Sequence, residues 1–341
     1  MFFTFNMLKF KSMEKEAKYF QKLAGDKIQC LLCPVRCKLS EGQEGVCFGR
    51  KVINGRLIAT NYGEAVSVHV DPIEKKPLYH FYPGSMILSV GPNGCNLFCK
   101  YCQNWSISKE HQRTLTIMPE ELVALAKREK SIGIAYTYSE PLIWFDYLMD
   151  ICPLAHENHL YNVLVTNGYI NPEPLDELLP HIDALNIDVK SMRAEFYRRI
   201  CKGKLETVRN TVEASVKAGK HVEVTYLIIT DLNDSRDEMS ELVDWVADLN
   251  PKIPLHFSRY FPSYKLDNPA TPIDTLKMAY DIAIEKLHYV YIGNAHIEAT
   301  SDTHCPFCGN LLVNRSGYVT RVTGIDSGHC SKCKKPVDFV L

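Results

Sequence analysis

Three cysteines share one short loop in the run Cys95-Asn96-Leu97-Phe98-Cys99-Lys100-Tyr101-Cys102, and the nearest cysteines on either side are Cys47 and Cys152. Three thiolates on such a loop can hold three irons of a [4Fe–4S] cube and leave the fourth iron without a protein ligand. An open coordination position is what reactive, rather than structural, metal sites keep. A zinc loop that recruits a distant fourth ligand is the competing reading of the same spacing.

The triplet is one of three clusters that take up eleven of the thirteen cysteines. A secreted disulfide scaffold is small and loop-rich, and a chain of 341 residues with 46% hydrophobic and 23% charged residues is neither. Gaps of two and three residues point instead to thiolate ligands in a reducing cell. Cys305, Cys308, Cys330 and Cys333 form a CxxC…CxxC tetrad resembling a zinc ribbon, the spacing of a structural zinc that folds a module without a core of its own, with rubredoxin-like iron or a second cluster as the lesser alternative. Cys30, Cys33, Cys37 and Cys47 also form a closed set, for which zinc and an auxiliary iron–sulfur cluster stand side by side. Cys152 reads as a small buried hydrophobe, and Cys201 has no cysteine partner nearby in sequence.

A formal net charge of -1 argues against a general polyanion-binding surface. The basic stretch Arg193, Arg198, Arg199, Lys202, Lys204 and Arg209 reads as a solvated face rather than a nucleic-acid site. No run approaches the ~20 apolar residues of a membrane span. Met1–Phe10 is apolar, but Lys9 and Lys11 interrupt it and no small-residue cleavage site follows. These features predict a cytoplasmic protein.

From about Ser85, short β-rich runs alternate with helical patterns. Strands are predicted at Met86–Val90, Ile132–Tyr138, Tyr161–Thr166, Asp183–Val189, His221–Ile229, Leu255–Arg259 and Tyr289–Ile292. Helices are predicted at Pro119–Lys130, Pro141–His156, Leu205–Ala218, Ser235–Leu249 and Pro272–Leu287. Such alternation argues an α/β parallel sheet, open or barrel-like. Upstream, Ser12–Ala24 reads as an amphipathic helix with Met13, Ala17, Phe20 and Ala24 on one stripe. The division expected is an N-terminal helix and Cys-rich extension (1–84), a core (85–298) and a C-terminal metal module (299–341).

The CxxxCxxC run with Tyr101 before its last cysteine resembles the radical S-adenosylmethionine (SAM) superfamily signature. The wider string Asp71-Pro72-Ile73-Glu74-Lys75-Lys76-Pro77-Leu78-Tyr79-His80, with Gly94-Cys95 and Cys102-Gln103-Asn104-Trp105, resembles the radical SAM enzymes of the AmmeMemoRadiSam system, relatives of pyruvate formate-lyase activating enzymes. The resemblance runs from about Lys15 to the C-terminus. It implies a partial (β/α)6 barrel of the radical SAM type, a [4Fe–4S] cluster on Cys95, Cys99 and Cys102, and SAM as cofactor.

It also implies roles for strand ends, where parallel β/α folds place their active sites. Tyr138-Ser139-Glu140-Pro141 stands where activating enzymes carry Gly-Gly-Glu-Pro against the SAM amine. Thr166-Asn167-Gly168 matches their Thr-Asn-Gly near the ribose, with Val165 in place of a frequent Asp. Asp188 and Lys190 match their Asp-x-Lys near the SAM carboxylate. Alternation puts Asn186, Asp188 and Lys190 on one face, Glu223 and Thr225 on the next strand's, and His256 with Ser258 on the one after. A polar face on a parallel strand implies a wet or ligand-lined lumen, so Thr225 and His256 join Tyr101 as candidate cofactor contacts.

The expected function is a radical SAM enzyme that abstracts hydrogen from an undetermined substrate. A narrower alternative is an activator that raises a glycyl radical on a partner enzyme. A non-enzymatic alternative is a Cys-rich scaffold with three structural metals. The enzyme readings require a low-potential donor of the flavodoxin or ferredoxin type, and the subgroup resemblance implies Memo-like and AMMECR-like partners.

Overall fold

The computed structural model describes residues 14–341. The apolar run Met1–Phe10 and the first residues of the predicted helix, Ser12 and Met13, lie outside them. From Glu14 onward that helix is not formed. Ala17 N–H donates to the Leu57 carbonyl at 2.8 Å, Ala59 N–H to the Lys15 carbonyl at 2.9 Å, and Ala17 is buried. The segment adds as extended chain to the hairpin at 51–58, Tyr19 takes φ 59°, and β1 (Phe20–Lys22) follows. Tertiary pairing overrides a helical propensity worth only tenths of a kcal/mol per residue.

β1 pairs antiparallel with β2 (Ile28–Cys30) and β2 with β3 (Lys38–Leu39). β4 (Lys51–Ile53) and β5 (Arg56–Ile58) form a two-residue hairpin. Its turn, Asn54-Gly55, holds both residues at positive φ, 52° and 67°, as a primed turn requires.

The main sheet has nine strands: β6 (Glu64–Pro72), β7 (Met86–Pro92), β8 (Leu115–Thr116), β9 (Gly133–Tyr136), β10 (Tyr161–Thr166), β11 (Ala184–Asp188), β12 (His221–Ile228), β13 (Leu255–Arg259) and β14 (Val290–Gly293). Their order is β14-β13-β12-β11-β10-β9-β7-β6-β8. The seven strands from β7 to β14 are all parallel, and β6 runs antiparallel on the far side of β7. The two end strands do not pair, so the barrel is open. All seven predicted strands are present. β6 was not anticipated, and because it hydrogen-bonds along β7 the sheet starts upstream of residue 85.

The helices are α1 (Trp105–Lys109), α2 (Pro119–Arg128), α3 (Phe145–Glu157), α4 (Pro172–Leu178), α5 (Ala194–Phe196), α6 (Leu205–Lys217), α7 (Arg236–Leu249) and α8 (Ile273–Ile284). In α7, the Ser235 hydroxyl caps the Glu238 N–H, and Met239, Leu242, Val243 and Val246 form the buried stripe. The predicted Pro141–His156 helix opens instead as a 3-10 turn, Pro141–Trp144, before α3. Among the described residues, no helix is long and apolar enough to cross a membrane.

The C-terminal module pairs β15 (Thr303–His304) with β16 (Leu311–Ser316), β16 with β17 (Val319–Val322), and β18 (Ile325–Asp326) with β19 (His329–Cys330). It packs on the segment 78–84. Buried Arg315 donates to the Tyr79 carbonyl at 2.7 Å and lies 4.2 Å over the Tyr79 ring, and Val340 N–H donates to the His80 carbonyl at 2.8 Å.

Candidate active site

One cavity of about 800 Å³ collects the C-terminal ends of the core strands. Cys95, Cys99, Tyr101 and Cys102 line it after β7. Tyr138, Ser139 and Glu140 line it after β9, Thr166 and Asn167 at the end of β10, and Asp188 and Lys190 at the end of β11. Thr225 of β12 and Ser258 of β13 complete that rim. His69 and Asp71 of β6, Lys75 and Lys76 beyond it, and Tyr318 of the C-terminal module line it too. Asp71 pairs across from Ile87 near the start of β7, whereas the triplet follows its end, so the cavity reaches down the β6–β7 side of the open barrel.

Close backbone contacts hold the triplet loop. A Cβ on Gly91 would stand 2.1 Å from the Thr137 carbonyl, and one on Gly94 would stand 2.0 Å from the Cys47 carbonyl, so both turns before Cys95 tolerate only glycine. Phe98 N–H donates to the Cys201 carbonyl at 2.7 Å and Lys100 N–H to the Ile200 carbonyl at 3.1 Å. The Tyr101 hydroxyl lies 3.6 Å from the Cys201 sulfur. Burial pushes the Cys95 thiol up to about 12, with Lys109 opposing.

The four C-terminal thiols lie within 4.8 Å of one another, but no three of the other nine cysteines do. Cys95, Cys99 and Cys102 all line the cavity, and three such thiolates would hold a [4Fe–4S] cluster.

Glu140 lines the cavity with its carboxylate engaged by the neighbouring strand end. Its Oε1 accepts from Thr166 Oγ1 at 2.6 Å and from Leu142 N–H at 2.9 Å, and its Oε2 accepts from Asn167 N–H at 2.8 Å. Burial pushes its carboxyl up to about 7 against those hydrogen bonds. Glu140 therefore orders the Thr166–Asn167 turn. Asn167 in turn aims its amide at the Cys95 sulfur, 3.5 Å away, and at Asn96 Oδ1, 3.1 Å away.

Tyr138 has φ 72°, the left-handed region that favours glycine. This explains why activating enzymes, in the resemblance above, have glycine there. The strained tyrosine is held by its hydroxyl, which donates to Asp71 Oδ2 at 2.8 Å, and by Lys76 Nζ, 4.7 Å over its ring. Ser139 donates to the Pro92 carbonyl. Burial would raise the Asp71 carboxyl, but Lys76 and Tyr138 hold it well below the usual range.

Lys190 Nζ lies 3.0 Å from Asp188 Oδ2. Burial opposes its charge, yet Asp188 and the Cys99 and Cys201 thiols hold its pKa well above the ordinary value. Thr225 donates to Asn186 Oδ1 at 2.9 Å.

His256 does not line the cavity, which corrects the expectation for it. It is buried one layer lower, with Nε2 2.6 Å from Glu223 Oε2. Glu223 also meets His221 Nε2 at 3.0 Å and accepts the N–H groups of Tyr79 and His80 at 3.0 and 2.8 Å. Asn186 donates to the Pro77 carbonyl at 2.8 Å. The segment 77–80 thus plugs the lower lumen, and only Asp188, Lys190, Thr225 and Ser258 keep the polar lumen that alternation predicted.

The C-terminal thiols pair at 3.7 Å (Cys305 with Cys333, Cys308 with Cys330). That is the ~3.8 Å edge of a tetrahedron with 2.3 Å zinc–sulfur bonds. The two knuckles share one geometry: Gly309 and Lys334 have φ 70° and 60°, and their N–H groups donate to Cys305 and Cys330 carbonyls at 2.9 Å. The basic stretch is a solvated face. Arg198 and Arg199 pair with Glu195, Arg193 with Glu241 and Arg209 with Glu213. Cys152 is buried in α3. Sequence reasoning missed His69, Asp71, Lys75, Lys76 and Tyr318 as cavity residues; the acid–base string Asp71–Lys76 was the only signal available.

Residues 90–246 match the profile of the Radical SAM superfamily. The chain is 44% identical over 335 residues to an uncharacterized protein of Methanocaldococcus jannaschii, covering 96% of this chain and all of that one. It is 26% identical over 166 residues to the pyruvate formate-lyase-activating enzyme of Clostridium pasteurianum, covering 46% of this chain and 67% of the relative. Two solved structures share the fold. Streptococcus suis SuiB bound to S-adenosylmethionine has a TM-score of 0.50 and 13% identity, over 63% of this chain and 50% of that one. A radical SAM methyltransferase from Sphaerobacter thermophilus has a TM-score of 0.50 and 17% identity, over 68% of this chain and 71% of that one.

Proposed function

The chain belongs to the radical SAM superfamily, and from that premise we propose that Cys95, Cys99 and Cys102 hold its cluster while Glu140, Thr166, Asn167, Asp188, Lys190 and Thr225 form the SAM pocket. When bound, the cluster supplies one electron that splits SAM into methionine and a 5'-deoxyadenosyl radical, which takes hydrogen from a substrate. The observation that carries the assignment of residues is the single cavity in which the three thiols meet the ends of four successive strands.

This chain's own residues bind, orient and exclude water. Lys190 offers a fixed positive charge to the carboxylate of the cofactor, and Asp188 beside it an acceptor for its amine. Glu140 positions rather than binds, through its hold on Thr166 and Asn167. Leu97, Val189 and Tyr101 are buried around the thiols and keep the reacting end dry. The far end, with Asp71, Lys75, Lys76 and Tyr318, is left for the substrate.

The likeness to activating enzymes supports a reductant and a partner protein. A flavodoxin or ferredoxin suits the reductant, and the 71–80 string supports Memo-like and AMMECR-like proteins as associates. One zinc on Cys305, Cys308, Cys330 and Cys333 would fold residues 299–341. All thirteen cysteines are free thiols, which suits a cytoplasmic, reducing setting. The test is anaerobic reconstitution with iron and sulfide, then SAM and dithionite. Release of 5'-deoxyadenosine by wild type and none by Cys95→Ala is expected; equal background from both refutes the assignment. A glycyl EPR doublet on a co-incubated glycyl-radical enzyme would select the activator reading.

A further inference from the structure

The quartet Cys30, Cys33, Cys37 and Cys47 takes no part in the site above, yet it is built as a ligand set. Cys30, Cys33 and Cys47 are buried. Cys30 N–H donates to the Cys37 carbonyl at 2.9 Å, which brings the ends of the first knuckle together. A Cβ on Gly45 would stand 3.9 Å from both the Cys37 and the Cys47 sulfurs, so these two face one point. Yet no three of the four sulfurs gather within the 4.8 Å that the C-terminal quartet satisfies. The four thiols are therefore set wider than the C-terminal four, beyond the spacing of a single tetrahedral ion.

The surroundings also suit a set of anionic sulfurs. The backbone N–H groups of Val35, Val46 and Gly49 point at the sulfurs of Cys33, Cys37 and Cys47. Arg50, only 1% exposed, places Nη1 3.6 Å from the Cys30 sulfur and Nη2 2.6 Å from Asp146. Its Nε has no partner in the protein. Asp146 balances its charge, and the remaining N–H groups supply a buried donor beside the Cys30 sulfur. Arg36 and Phe48, inside the knuckles, hold φ 49° and 66°, a strain that persists only where the surroundings dictate it.

We propose that Cys30, Cys33, Cys37 and Cys47 bind a second iron–sulfur cluster, seated against the catalytic loop. A [4Fe–4S] cube, with irons at alternate corners, spreads its four thiolates beyond the ~3.8 Å edge that a single zinc imposes. The Cys47 carbonyl touches Gly94, the residue before Cys95, and the Leu31 and Leu32 carbonyls accept from Asn171, four residues beyond Asn167.

The test uses the full chain with Cys95, Cys99 and Cys102 all replaced by alanine, reconstituted anaerobically with iron and sulfide. That variant should retain about four irons with equal sulfide, and adding Cys33→Ala and Cys37→Ala should remove both. Zinc without sulfide at the quartet, or no metal there, overturns the proposal. Reduced wild type offers a check that needs no substitution: two EPR signals, of which SAM shifts only one. A single signal that SAM shifts entirely also overturns it. Since the first readout is made without the triplet, it stands or fails separately from SAM cleavage.

Discussion

Gly94→Ala tests how closely the catalytic loop depends on the Cys-rich segment before it. The added Cβ would lie 2.0 Å from the Cys47 carbonyl, where real contacts come no closer than about 3.0 Å, so one backbone must move by about 1 Å. The left-handed φ of 108° adds about 1–2 kcal/mol for any residue with a Cβ. Gly55→Ala is the control: its φ is 67° but nothing lies within 4 Å of its Cβ, so it carries the conformational cost without the collision. A displacement of ~1 Å at a reacting centre costs on the order of 100-fold in rate. Both variants would be reconstituted anaerobically and assayed for 5'-deoxyadenosine release, iron content and the EPR shift on adding SAM. Gly94→Ala should lose on the order of 100-fold in release with a weakened SAM-induced shift, while Gly55→Ala stays near wild type. Wild-type turnover and an unaltered EPR response in Gly94→Ala would refute the coupling.

Three further outcomes follow from the geometry. His80 is fully buried between Tyr291 and the Asp338 carbonyl, and burial lowers its pKa from 6.5 to about 3. The unfolded chain then takes up a proton that the folded chain refuses, so stability falls as pH drops below 6.5, by about 3 kcal/mol near pH 4.5. His80→Gln should flatten that part of the unfolding midpoint against pH; parallel curves would exclude the role. Asn167→Ala removes the amide aimed at Cys95 and should make the triplet cluster's potential more negative at unchanged iron content, read by potentiometric EPR titration. An unchanged potential would show that the contact is idle. Cys330→Ala should lower zinc from one atom per chain to none and depress thermal stability, because Arg315 and the Val340 carbonyl pairing to segment 79–82 depend on that module. Full zinc retention would rule out the tetrad as its site.

Strand–helix alternation identified the core strands well, with Tyr161–Thr166 and Leu255–Arg259 correct to the residue. β6 escaped notice although Val66, Val68 and Val70 alternate with Ser67, His69 and Asp71 at the period of a half-buried strand, and Asp71 is polar there because it meets Lys76 and Tyr138 across the cavity. His256 was misplaced for a related reason. A period of two says which face a side chain takes, not how deep in the lumen it lies. His256 and Ser258 share a face, but one is under the 77–80 plug and the other is on the cavity wall.

Ligand sets were decided by local spacing, since two or three intervening residues bind thiols into one loop whatever the rest of the chain does. The gathering of the paired CxxC knuckles and the placing of the triplet on one loop were therefore legible in the sequence alone. Depth in the barrel, the engagement of Glu140 with Thr166, and the entry of Tyr318 into the cavity join residues far apart in the chain. So does the wider setting of the N-terminal quartet against the tightness of the C-terminal one. No local pattern encodes such contacts, because they exist only once the sheet has closed around the 77–80 segment and the terminal modules have packed against it.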